Sequence, residues 1–378
     1  MAATPTWDDV RKLAEYRAQK GRAISLYVDL DPARSPTPRD ASTRVNSLLA
    51  DGHKDALRRD QSHEEKEALK RDFERLERYF EHEFERDGAR GLAVFCAGLD
   101  GMWIDLQLPE AVPDGICVER DFYLAPLAPI VGRGDGALVA VVNRERGSLY
   151  RLRGGRLREA TDLSEEQPRR HDQGGWAQAR MQRHVDELAA EHFRTVAEEI
   201  NRRVRAGHGT RLVVVCPEQQ RAEFEELLSQ EGRAALAGWA SAEAHAGPSE
   251  LLAVAEPVLE RAREQEEGAD VERWREELGR NGRAVGGWTP TLEAASDGRV
   301  ETLLYAGAGR HAAWQCPRCG RASAEGGPCP LDGTEMEQRS EGLDLALHQT
   351  LAHGGGVRVV LHHHDLEPLE GIGALLRF

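Results

Sequence analysis

Short, nearly unbroken apolar runs set the first constraint on this chain. AISLYVDL (Ala23–Leu30), ALVAVV (Ala137–Val142), RLVVVC (Arg211–Cys216) and VETLLYA (Val300–Ala306) are each flanked by charged, glycine or other turn-forming residues. Runs of this length, rich in β-branched side chains, read as buried strands. Helical rhythms lie between them. Leu69, Phe73, Leu76, Phe80 and Phe84 recur at intervals of three and four inside a charged run that ends at Asp87–Gly88. Met181, Val185, Leu188, His192, Val196 and Ile200 do the same, giving a long helix from about Ala177 to Val204. Strand alternating with helix is the pattern of layered α/β structure.

At 378 residues the chain exceeds one ordinary core, and 40% hydrophobic content is enough for two or three packed ones. The division falls into three domains, 1–128, 129–268 and 269–378, within an α/β (α+β multidomain) class. The first has a helix over Trp7–Gln19, the strand Ala23–Leu30, a Pro-rich loop at PARSPTPRD and the long amphipathic helix. GLAVFCAGLDGMWIDLQL then makes a hairpin turning at Asp100–Gly101. Pro126 and Pro129 mark the boundary. The middle domain opens with a three-stranded meander turning at Arg146–Gly147 and Gly154–Gly155, followed by the long helix, RLVVVC and helix EQQRAEFEELL. A charged helical stretch, PSELLAVAEPVLERAREQEEGADVERWREELGR, leads into the third. That domain reads as an α/β sandwich of TPTLEAAS, VETLLYA, GLDLALHQTLAH, VRVVL and ALLRF, interrupted by a cysteine-bearing insertion over 316–332.

Several function classes fall away. No run approaches a membrane span, and the start lacks a basic region followed by an apolar stretch, so neither a membrane partner nor a signal peptide is expected. Cys96, Cys117 and Cys216 stand singly in apolar segments, which fits buried thiols in a reducing cytoplasm. G-x-S-x-G, H-E-x-x-H and phosphate-loop motifs are missing, and Asp162 with Asp172 makes no acidic constellation for a nuclease. His362–His364 reads as an exposed turn and Gly207-His208-Gly209 as a helix stop. The formal charge of −15 argues against DNA, but local patches decide RNA binding. Arg169–His184 holds Arg169, Arg170, Arg180 and Arg183 with His171 and His184, against Asp172 alone.

The insertion CPRCGRASAEGGPCPLDG carries Cys316-x-x-Cys319 and, ten residues on, Cys329-x-x-Asp332. A zinc ribbon has a second C-x-x-C at this place; here Asp332 holds the last ligand position, and its oxygen can ligate zinc. A structural zinc is the expectation, with a degenerate knuckle that binds no metal as the alternative.

HDQGGWAQARMQRH, residues 171–184, is the remaining candidate site. Gly174 and Gly175 precede a helix start flanked by basic side chains suited to phosphate contacts, namely Arg169, Arg170, His171, Arg180, Arg183 and His184. Trp176 can stack on a base, and Gln178 offers a neutral amide that both donates and accepts.

Through these residues the chain resembles the eukaryotic and archaeal peptide chain release factor family, whose middle domain carries a Gly-Gly-Gln loop before an Arg-rich helix. AISLYVDL, TRVNSLLAD and RGLAVFCAGLDG are similar to its amino-terminal domain, in order; VETLLYA, the cysteine insertion and GIGALLRF are similar to its ribosomal-protein-like carboxyl-terminal sandwich. Trp176 and Ala177 stand between the glycines and Gln178, as in the family's ribosome-rescue relatives and bacterial members. The stop-codon-reading element would fall near Asp40–Thr43, which has no Lys, and its Tyr-x-Cys on Tyr123-Leu124-Ala125, which has no Cys. The resemblance therefore implies peptidyl-tRNA hydrolysis without stop-codon decoding, on large-subunit rRNA, with a translational GTPase or ATPase as a further partner. In that chemistry Gly174 and Gly175 let backbone enter a narrow pocket, Gln178 orients a water, and Gln173 is the reserve amide. A non-catalytic ribosome- or RNA-binding factor is the alternative.

Overall fold

A computed structural model gives the fold. It describes residues 5–378 except 19, 35–37, 58–61, 87, 132–135, 154, 164–175, 208–209, 244, 308–310 and 340, and the side chains of 38–41, 55, 57, 153 and 176–186 are likewise outside it. Contacts divide the chain into two compact units, one of residues 1–133 with 266–378, the other of 134–265.

In the first unit, β1 (Ala23–Asp29) lies between β2 (Gly91–Ala97) and β4 (Gly115–Glu119), with β3 (Met102–Leu108) outside β2. All pairings are antiparallel. Alternate residues of β1 explain its continuous apolar run. Ile24, Leu26 and Val28 join Val45, Leu49, Leu69, Phe73 and Leu76 from α2 (Pro38–Leu57) and α3 (His63–Arg78). Ala23 and Tyr27 face the other way, onto Val10 and Leu13 of α1 (Trp7–Glu15). The hairpin forms as expected, with Gly101 at φ +71° in the left-handed region where a side chain is disfavoured.

The amphipathic helix ends earlier than its periodicity implies. After Arg78 the backbone makes one π-helical turn, Tyr79–Glu83, closed by Phe84 N–H donating to Tyr79 O at 2.8 Å. The wider turn gathers Tyr79, Phe80, Phe84 and Trp103, and the Tyr79 hydroxyl binds Asp105 at 3.0 Å. Aromatic packing thus overrides the helical register. Helix α2 and the short strands β4, β9 (Leu236–Ala240) and β10 (Ala284–Gly286) have no counterpart in the pattern of apolar runs.

The carboxyl-terminal part of this unit has sheet order β10, β16 (Ile372–Leu376), β11 (Val300–Tyr305), β15 (Gly356–Val359), with β11 and β15 parallel. Helices α8 (Trp288–Ser296) and α9 (Gly342–Ala352) cover it through Leu292, Ala295, Leu343 and Leu347. The first and third sequence segments share one core. Leu351 of α9 packs in the cluster of Val10, Phe95 and Phe122. A polar clasp reinforces this. The buried Asp344 accepts from the Leu124 and Ala125 N–H groups at 2.6 and 3.2 Å, while His348 sits 2.7 Å from Phe122 O and 3.2 Å from Ala14 O. Burial pushes the Asp344 carboxyl up, against the opposing pull of His348 and the two N–H donors.

In the second unit the meander forms as expected from β5 (Leu138–Val142), β6 (Gly147–Arg153) and β7 (Arg156–Asp162). The order β7, β6, β5, β8 (Leu212–Val215), β9 places the parallel strands side by side. One face carries α4 (Trp176–Ala206) and α5 (Glu218–Leu227), through Phe193, Val196, Ile200 and Phe224. The other face carries Leu251, Ala255 and Leu259 from α7 (Pro248–Gly279). Short α6 (Gln230–Ala235) precedes β9. No helix among the described residues is long and apolar enough to cross a membrane.

Glu199 pins α4 to β7. It accepts from Arg202 and Arg203, and Arg203 reaches Ala160 O at 3.2 Å. Hydrogen bonds from Arg202 and then Arg203, working against desolvation, hold the Glu199 carboxyl down at about 2. An unfolded glutamate titrates near about 4.3, so this stabilisation is complete above that pH and drains away as pH falls towards 2. Glu199→Gln is expected to cost about 0.5–1 kcal/mol at pH 7 after allowance for solvent screening. Urea denaturation of both proteins from pH 7 to 3 should show the gap closing below about pH 4.3; a gap independent of pH would contradict this assignment.

Candidate functional site

Two regions of sequence were expected to carry chemistry. The first is the glycine-pair segment. Arg169, Arg170, His171, Gln173, Gly174 and Gly175 lie outside the described residues, as do the side chains of Trp176, Gln178, Arg180, Arg183 and His184. The backbone of the last five is described, and it is helical: α4 starts at Trp176, so Gln178 belongs to its first turn. N–H groups of a first turn have no intrahelical acceptor and mark the positive end of the helix dipole. The start and end of α4 agree with the expected Ala177–Val204 to within two residues.

What anchors this helix is clear further along. From Ala189 onward it buries Phe193, Val196, Ala197, Ile200 and Val204 against the sheet. At Gly147 of β6 a Cβ would come within 2.4 Å of Val196 Cγ2 and 2.9 Å of His192 Cε1, so a glycine is what lets α4 approach this closely. His192 is 1% exposed, and neither ring nitrogen has a hydrogen-bond partner among the described residues. The sequence placed His192 correctly on the buried face.

The second region is the cysteine insertion, and here the structure brings together all four residues singled out from spacing. Ligand atoms of Cys316, Cys319, Cys329 and Asp332 lie within 4.8 Å of one another. Cys319 and Cys329 sulfurs are 3.5 Å apart, and Cys316 Sγ is 3.6 Å from Asp332 Oδ1. A tetrahedral centre with metal–sulfur bonds of about 2.3 Å has edges of roughly 3.8 Å, so the cluster is already near the size that could hold an ion.

Two matching turns explain why Asp332 takes the fourth position. In one, Cys316 N–H donates to Arg321 O and Gly320 N–H to Cys316 O, at 2.8 and 2.9 Å. In the other, Cys329 N–H donates to Thr334 O and Gly333 N–H to Cys329 O, at the same distances. Gly320 and Gly333 follow the second ligand of each turn at φ +81° and +70°. Asp332 is thus the counterpart of Cys319. Its carboxylate is also held by the Thr334 N–H at 3.0 Å. β12 (Ala313–Gln315), β13 (Ala322–Ser323) and β14 (Glu337–Arg339) form a small sheet beneath the turns, and Arg321 to Asp297 at 2.6 Å ties it to the end of α8.

The histidine run His362–His364, read from sequence as an exposed turn, is irregular chain after β15 in which His362 and His364 are exposed and His363 is half-buried. Its anchor was not legible: the buried Glu267 accepts from the N–H groups of Leu361 and His362 at 2.9 and 2.6 Å and from His362 Nδ1 at 2.9 Å. Nothing local in the sequence links positions so far apart.

This α/β architecture, with a basic glycine-pair segment at the head of a long helix and a metal-sized cysteine cluster elsewhere, defines a class of multidomain α/β protein. Residues 123–267 match the sequence profile of bacterial archaeo-eukaryotic release factor family 10. The chain is 26% identical over 299 residues to peptide chain release factor subunit 1 of Archaeoglobus fulgidus, covering 72% of this chain and 73% of that protein. Both matches show what the chain is similar to, the archaeo-eukaryotic release factors, the profile over residues 123–267 and the archaeal relative over 72% of the chain. Solved structures similar to it include an archaeal translation termination factor (17% identity, 99% of each chain, TM-score 0.27) and the translation termination-like factor Dom34 of S. cerevisiae (12% identity, 76% of this chain and 79% of that one, TM-score 0.42).

Proposed function

We propose that this release-factor-like protein hydrolyses the ester joining nascent peptide to tRNA, rescuing stalled ribosomes or large subunits without decoding a stop codon. The single observation that carries this reading is the Gly174-Gly175 pair, within residues matched by the release factor profile and separated by Trp176 and Ala177 from Gln178 in the first turn of α4. Gly174 and Gly175 would admit bare backbone to a confined RNA pocket. The Gln178 amide, or its first-turn N–H, would hold a water in line and stabilise the developing oxyanion, with water as the nucleophile. Arg169, Arg170, His171, Arg180, Arg183 and His184 would anchor the segment on rRNA phosphates, and Trp176 would stack on a base. The partners are large-subunit rRNA, peptidyl-tRNA and a translational GTPase or ATPase.

Release of labelled peptide from stalled large subunits tests this. Gln178→Ala is expected to slow release about a hundredfold, whereas Gln173→Ala leaves it within about threefold. The reverse ranking would assign the amide to Gln173. Equal, background-level release by wild type and Gln178→Ala would instead support the binding factor that docks and hydrolyses nothing.

We also infer that the cysteine cluster holds zinc, since three thiols and one carboxylate with ligand atoms within 4.8 Å of one another suit a four-coordinate structural site with no open position for catalysis. Purified protein should contain one zinc per chain by elemental analysis. Asp332→Cys should keep the metal and Asp332→Ala should lower its retention against a chelator at least tenfold. Metal-free protein with an unchanged knuckle would overturn this.

A further inference from the structure

The first unit contains a cavity of about 600 Å³ that neither the glycine-pair segment nor the cysteine cluster uses. It lies along β4, the edge strand of its sheet, and all five β4 residues line it. Opposite stand Tyr123, Pro126 and Pro129 of the connecting segment, with Tyr305, Leu343 and Val359 from the carboxyl-terminal part. Its volume is that of a small-molecule site, typically about 300–1,000 Å³.

The charges in this lining have one sign. Asp114, Glu119 and Glu341 line the cavity, and no Lys, Arg or His does so among the described residues. Arginines outside the lining hold Asp114 and Glu119. Arg44 engages Asp114, which also accepts the Asp29 N–H at 2.7 Å, and Arg22 and Arg339 stand 3.9 and 3.8 Å from Glu119. The guanidiniums fix the carboxylates without becoming part of the cavity wall. A ligand entering it therefore meets acceptor oxygens and apolar or aromatic surface. An anion would find no cationic side chain in this lining among the described residues, and a purely apolar ligand would strip water from carboxylates without replacing it. A protonated amine on an apolar body satisfies both parts of the lining, and tyrosine rings favour cations further.

We propose that this cavity binds a small amphipathic organic amine, its ammonium directed to Glu119 and Glu341 and its apolar body against Tyr123, Tyr305 and Leu343. Two probes with the same body test the sign of the site on the full chain: 2-naphthylmethylammonium and 2-naphthylacetate, titrated calorimetrically. Cys117, expected to be buried from its apolar segment, is partly exposed in the lining and in no disulfide, so protection from maleimide, located by peptide mass spectrometry, reports occupancy. The amine should bind saturably and protect Cys117, and the carboxylate should do neither. Glu341→Gln should weaken the amine at least about tenfold. Gly115→Phe should abolish protection; an added Cβ at Gly115 meets no atom within 4 Å, so this variant is expected to fold, as a thermal melt would verify. Binding of both probes alike, amine binding indifferent to both variants, or failure of the amine to bind would each overturn the proposal.

Discussion

Gly175→Val is expected to reduce peptide release by about a hundredfold or more while ribosome affinity stays within about threefold, because displacing a reacting group by an ångström can cost that much rate without removing any binding contact. A valine at this position adds a branched side chain where bare backbone is proposed to pass between RNA walls, and it narrows the backbone conformations open to the segment. The basic residues on either side are untouched, so phosphate contacts persist. Single-turnover release at saturating factor, with affinity measured separately by co-sedimentation, distinguishes the two effects. Equal losses in both would make the glycine a docking residue.

Asp344→Ala should produce the largest loss of stability, about 3 kcal/mol for the unit that joins the two ends of the chain. The Asp344 carboxylate serves two N–H groups, Leu124 and Ala125, in a buried setting beside His348. Removing it leaves both donors without an acceptor, at roughly 1–3 kcal/mol each, partly offset by relief of the buried carboxyl's own desolvation. Asp344→Asn keeps an acceptor oxygen and should lose about 1 kcal/mol. Urea denaturation monitored by Trp fluorescence would measure both, and equal stability of wild type and Asp344→Ala would remove the clasp from the list of stabilising contacts.

Legibility in the sequence followed locality. The strands buried on both faces announced themselves as unbroken apolar runs, and α4 as a long period-3.6 stripe, because each pattern is written in consecutive residues. The cysteine cluster was equally plain, since C-x-x-C and C-x-x-D each occupy one turn. What escaped depends on partners distant in sequence. β4 pairs only by virtue of β1, α2 begins at Pro38 inside the Pro-rich stretch that reads as loop, and the π-helical turn at Tyr79 answers to Trp103 and Asp105. Asp344 and Leu124 are 220 residues apart, and no spacing rule connects them. The glycine pair is marked by its composition, and the resemblance to release factors by the order of motifs along the chain.

The most direct measurement is the rate at which wild-type protein releases labelled peptide from stalled large subunits, set against spontaneous hydrolysis in the same preparation. Saturable acceleration of at least about a hundredfold, lost in Gln178→Ala, is the predicted result. Full occupancy of the subunits by the protein with no acceleration would contradict the hydrolase and leave a factor that only binds.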